Sequence, residues 1–131
     1  MNGEIAWEAP PVDWREARFA AVGCYFNRGN FTIRIYVPFT LLQDAGLRVG
    51  ERVDVGRRWS VCIIRRARHK HVGFRVAPSG RRSGKAVITL AASRWLPRER
   101  QVFRPRELVR TRVGRGWLEL ELPEWARMEA R

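Results

Sequence analysis

Residues 33–55, IRIYVPFTLLQDAGLRVGERVDV, pack several local structure signals into one continuous unit. Ile33, Ile35 and Val37 alternate with Arg34 and Tyr36, the period-two pattern of a strand with one buried face. Pro38 stops that strand and presets its backbone angle for the first turn of a helix. Phe39, Leu41 and Leu42 give the helix an apolar side, and Gly46 suits the left-handed position that closes it, so the helix spans about two turns. Gly50-Glu51 makes a second turn, after which Val53 and Val55 alternate with Arg52 and Asp54 as a new strand.

Strand signals continue on both sides. Arg18–Phe26 reads as a strand that returns through Asn27-Arg28-Gly29-Asn30 into Phe31–Val37, a hairpin. Gly56-Arg57-Arg58 is expected to turn the chain into the alternating run Trp59–Ile64, and the basic run RRARHKH, 65–71, to join this to an antiparallel strand containing Val72, Phe74 and Val76. PSGRRSGK, 78–85, has the composition of a loop; Val87–Leu90 restarts a strand, Ala91–Leu96 reads as a helical turn ending at Pro97, and Arg98–Pro105 as irregular. Near the end, Val109, Thr111 and Val113 face Leu118, Leu120 and Leu122 across the turn Gly114-Arg115-Gly116, with Arg110 and Arg112 opposite Glu119 and Glu121 on the outer side. Trp125, after Pro123, is expected to cover an open barrel end.

Over residues 31–66 the pattern resembles the swapped-hairpin barrel module of AbrB, MazE and SpoVT type transcription factors: strand, Pro38, apolar helix, Gly46, Gly50-Glu51, strand. The resemblance implies a mostly-β protein, a small swapped-hairpin-like β-barrel with one or two short helices. It also implies duplex DNA binding, with Arg34 on the strand before the proline as a contact residue. Leu42 and Gln43 stand where some DNA-binding members carry an arginine pair. Phe31–Ile35 overlays on Ala86–Leu90, and Gly56-Arg57-Arg58-Trp59 on Gly114-Arg115-Gly116-Trp117. Read as a repeat, this divides a domain at 17–125 into halves 17–70 and 71–125, an internally duplicated pseudo-dimer; read as a chance likeness of two turns, it leaves a homodimer open. Residues 1–16 form an N-terminal arm and 126–131 a tail in this reading.

The chain of 131 residues is 45% hydrophobic, enough for one compact core. Its 26 basic and 13 acidic residues leave a net charge of +13, and from Val55 to Arg98 there is no Asp or Glu. Such a field attracts phosphate backbones at long range, and arginine forks bind phosphate or a guanine edge in bidentate fashion. The candidate nucleic-acid contacts are Arg34, Arg57, Arg58, Arg65, Arg66, Arg68, Lys70, Arg75, Arg81, Arg82 and Lys85, with His69 and His71 as a phosphate-facing pair. Arg34 is expected to read sequence, whereas the loop residues Arg81, Arg82 and Lys85 hold the backbone.

Catalysis receives little support. No carboxylate lies near the histidines in sequence, and neither a nucleophile-elbow nor a Walker spacing occurs, so the expectation is no enzyme and no cofactor or metal. Cys24 and Cys62 lack metal-ligand spacing and suit a reduced, cytoplasmic compartment, and no apolar run approaches a membrane span. Duplex DNA, bound by a transcriptional regulator or architectural factor, is the first expected partner. RNA, or an acidic protein surface met by a phage-type inhibitor of a host nucleic-acid machine, are the others.

Overall fold

Arg28 and Gly29 join β1 (Phe19–Asn27) to β2 (Asn30–Pro38), and both hold positive φ, 52° and 86°. This is the two-residue turn whose twist matches that of paired strands. The computed structural model describes residues 19–69, 71–80 and 82–128; the expected N-terminal arm, Arg18, and the end of the tail at 129–131 lie outside the described residues.

The helix expected after Pro38 is α1 (Phe39–Asp44). Pro38 caps it from outside, with φ −56° and ψ 144°, rather than filling its first turn. Gly46 closes it at φ +74°: the Gly46 N–H donates to Gln43 O and the Leu47 N–H to Leu42 O, both at 2.9 Å. Those two bonds form a Schellman motif, with Leu42 and Leu47 both buried beneath it.

The remaining strands are β3 (Arg52–Arg58), β4 (Val61–Arg66), β5 (Phe74–Arg75), β6 (Ala77–Pro78), β7 (Lys85–Ala91), β8 (Arg104–Gly114) and β9 (Trp117–Glu121). Single 3-10 turns stand at Ala92–Arg94, Arg98–Arg100 and Glu124–Ala126. All pairings are antiparallel, in the order β5-β3-β4-β9-β8-β1-β2-β7-β6. The two ends of this sheet are consecutive in the chain. Val76 lies between them, fully buried; its N–H donates to Glu51 O at 2.9 Å and its carbonyl accepts from Gly50 N at 2.8 Å. One extended segment thus leaves β3 and joins β7, which rounds the sheet into a nearly closed barrel and covers its hydrogen-bonding edges.

The result is a mostly-β barrel with few short helices, as the sequence implies. Exchanging β1 and β2 with β5/β6 and β7, and β3 and β4 with β8 and β9, leaves the ring order unchanged. Each half runs hairpin, helical segment, hairpin, and that segment is α1 in the first half but two 3-10 turns, Ala92–Arg94 and Arg98–Arg100, in the second. Ile33, Ile35, Val37, Ile64, Ile88, Leu90, Leu118 and Leu120 meet in the core, each at most 2% exposed. Among the described residues no helix is long and apolar enough to cross a membrane.

Four expectations are corrected. Gly56-Arg57-Arg58 lies within β3, and the turn falls at Trp59-Ser60, because the pairs Arg58–Val61 and Arg57–Cys62 carry the ladder past the glycine. The basic run does not join antiparallel neighbours: β4 and β5 both pair with β3, on opposite sides, so their connection is a crossover. β8 begins at Arg104, inside the stretch expected to be irregular, since β1 supplies a partner as far as Cys24. The expected tail begins within the packed structure, with Ala126 buried and the Met128 N–H bonded to Trp59 O at 3.0 Å.

Candidate nucleic-acid interface

The sequence-derived basic residues separate into groups. Arg65 pairs with Asp54 at 3.5 Å, the residue directly opposite it on β3. Arg66 pairs with Glu51 through Nε at 3.1 Å and donates through Nη2 to Gly46 O at 2.7 Å, which ties β4 to the end of α1. Arg57 points inward. Its Nη1 donates to Trp95 O at 2.7 Å and Ala126 O at 3.2 Å, and its guanidinium lies 4.7 Å from the centre of the Trp95 ring. Burial, with the nearby Arg100 charge, lowers the Arg57 pKa, a sign of how far that guanidinium has left water. Arg57 thus joins separate segments of the barrel, while Arg65 and Arg66 are occupied by contacts on its surface.

Arg58, Arg68 and Arg75 are exposed, as is Arg82, which holds φ 61° in the 78–85 turn; Lys85 is half-buried at the start of β7. Arg75 lies directly opposite Arg52 across β3 and β5, and Arg52 turns one nitrogen to Gly73 O at 3.0 Å. His69 and His71 are exposed in the crossover. Lys70 and Arg81 lie outside the described residues.

Arg34 occupies a different surface, the outer face of β8, β1, β2 and β7. Alternation and register place Arg106, Leu108 and Arg110 there from β8; Phe19, Ala21, Gly23 and Tyr25 from β1; Thr32, Arg34 and Tyr36 from β2; and Lys85, Val87 and Thr89 from β7. Among the described residues this face carries no carboxylate, although Arg110, at its edge, shares a groove with Glu107, Glu121 and Glu124. Glu107, on β8, turns away and accepts from the Trp125 indole at 3.3 Å. The opposite wall, β3-β4-β9 with the end of β8, carries charge pairs: Arg65 with Asp54, Arg112 with Glu119 at 3.6 Å, and Glu121 with Arg127 at 3.8 Å. Glu121 was expected opposite Arg110 or Arg112, and takes Arg127 from the segment after β9 instead.

At the centre of the first face lies Tyr25. Its ring crosses over Gly23, where a Cβ would come within 2.7 Å of the ring carbon Cε2. The register of β1 against β8 shifts at this glycine. Between the pairs Val22–Glu107 and Cys24–Arg104, β8 carries one more residue than β1, a bulge that re-aims the intervening side chains. Arg34 lies 4.9 Å above the Tyr25 ring, Arg106 lies 5.1 Å from the centre of the Tyr36 ring, and Phe103 meets Tyr25 edge-on at 5.8 Å. Burial and the hydrogen-bonded Tyr36 push the Tyr25 phenol above its ordinary pKa, with Arg106 opposing them, so burial is the larger influence on that phenol.

Of the sequence-derived residues that are described, Arg34 and Lys85 reach this face. Arg106, Tyr25, Tyr36 and Phe103 were missed, and the available signal was the Phe103-Arg104-Pro105-Arg106 run, which combines an aromatic with two arginines. Neither family models, nor curated proteins, nor solved structures show a match to this chain.

Proposed function

We propose that this protein binds nucleic acid, with the phosphate backbone lying across the outer face of β8-β1-β2-β7. The observation that carries the reading is the asymmetry of charge: the opposite wall pairs Arg65 with Asp54 and Arg112 with Glu119, while this wall presents Arg34 and Arg106 with no carboxylate among its described residues. Like charges on one face repel, and a polyanion relieves that repulsion. The AbrB-type resemblance of residues 31–66 supports duplex DNA as the ligand and a regulatory or architectural role, with Arg34 as a base-reading residue. The exchangeable ring order supports a single chain acting as a pseudo-dimer.

The test is fluorescence anisotropy of a labelled oligonucleotide across a salt series. With roughly 4 to 6 phosphates neutralised on a duplex, log affinity falls against log salt with a slope near −4 to −5. Arg34→Ala and Arg106→Ala each weaken binding and flatten the slope by about one, whereas Arg112→Ala, which removes a paired arginine on the other wall, leaves both unchanged. Absence of binding, or an affinity indifferent to salt, overturns the reading.

A further inference from the structure

The aromatic half of the same face has no use in holding phosphates. Phe103 is 61% exposed and meets the edge of the Tyr25 ring, which crosses over Gly23, and Leu108, opposite Ala21 on the same face, is 66% exposed. We propose that this patch stacks unpaired bases, so that the preferred ligand is a single-stranded segment rather than a closed duplex. The inference rests on the nucleic-acid reading above and names its ligand class.

Three observations carry it. First, apolar rings and guanidinium forks interleave here: Arg34 covers Tyr25, Phe103 abuts the edge of Tyr25, and Arg106 lies against Tyr36. A single strand offers the matching alternation of charge and flat apolar surface, with every base presenting a π-face and every linkage a phosphate. In a duplex the base faces are stacked on one another and closed to a side chain on a convex wall. Second, Phe103 stands just before β8, where β1 and Tyr25 support one side of it and the other is open. An exposed ring held from one side is a stacking platform. Third, charge selects among occupants: with no carboxylate among the described residues of the face, an apolar protein partner would have to bury Arg34 and Arg106 without an ion pair, whereas a strand brings phosphates to both.

The experiment compares three labelled ligands of equal length at fixed salt: a single-stranded oligodeoxynucleotide, the same strand with abasic sites throughout, and the duplex. The base-bearing strand is expected to bind at least ten-fold more tightly than the abasic one. Phe103→Ala is expected to remove roughly 5- to 100-fold of affinity for the base-bearing strand, the range of one stacked base, with no change for the abasic strand. Phe103→Trp should restore it, and Phe103→Leu, which keeps apolar bulk without a π-face, should not. Equal affinity for base-bearing and abasic strands, or preference for the duplex, overturns the stacking inference while leaving the nucleic-acid reading in place. No binding to any of the three removes both.

Discussion

Arg57 lies with its guanidinium 4.7 Å from the centre of the Trp95 ring and donates to the carbonyl oxygen of that same residue at 2.7 Å. The contact joins β3 to the 3-10 segment after β7, and the further bond to Ala126 O at 3.2 Å brings in the chain after β9. One side chain therefore pins three distant segments at one end of the barrel. A phosphate ligand would have to compete with those carbonyls for the fork.

Arg57→Ala leaves two carbonyl groups without their donor and uncovers the Trp95 ring. It should lower stability by about 2 to 3 kcal/mol, read as a shift in urea midpoint at constant slope. Nucleic-acid affinity, measured well below the new midpoint, should stay within two-fold, roughly 0.4 kcal/mol. A ten-fold loss of binding with little loss of stability would reverse the structural assignment of Arg57.

Gly46 holds φ +74°, and a Cβ there would meet only Gly116 N at 3.8 Å, an ordinary contact. The cost of Gly46→Ala is therefore the backbone conformation alone, about 1 kcal/mol. Gly46→Asn should cost less, since Asn tolerates the left-handed region. Thermal unfolding of the two variants checks the order.

Gly73 is the more stringent position. Its φ of +113° is combined with a Cβ that would lie 2.7 Å from the backbone oxygen of Val53, in a strand that cannot give way without breaking its pairing. Gly73→Ala should exceed the Gly46→Ala loss, reaching roughly 2 to 4 kcal/mol. Equal losses at the two glycines would show that the crossover does not press on β3 as described.

Cys62 is fully buried, and burial pushes its thiol from 9.0 up to about 12. The unfolded chain loses that proton above about pH 9 while the folded chain keeps it to about pH 12. The unfolded state then binds fewer protons, so stability falls as pH rises through this window, by at most about 1.4 kcal/mol per pH unit from this group. Below pH 9 the group contributes no pH dependence. The folded protein should also resist thiol reagents at pH 8 and react fully once unfolded; fast labelling of folded protein would contradict the burial of Cys62.

Local chemistry made much of the fold legible. The hairpin at Arg28-Gly29, the stop at Pro38 and the closure at Gly46 depend on backbone angles that particular residues favour or enforce, and those preferences act within a few residues. The turn at Trp59-Ser60 was not legible: Trp59 takes φ 54° although it is not a turn former, because the β3–β4 register places it there. Of the candidate site, Arg34 could be read from the alternation of β2. Arg106 and Phe103 could not, since they reach Tyr25 and Tyr36 only through the pairing of β8 with β1.

The sequence by itself determined the strand periodicity, the helix after Pro38 and the excess of positive charge, all of which are local or additive properties of the chain. Tertiary structure decided where that charge is free. The run from Val55 to Arg98 lacks acids in sequence, yet antiparallel pairing carries Asp54 to Arg65, and the turn that enters β3 carries Glu51 to Arg66. The wall with no carboxylate among its described residues is assembled instead from β8, β1, β2 and β7, because pairing in the barrel brings strands distant in sequence side by side and turns their alternate residues to one outer surface.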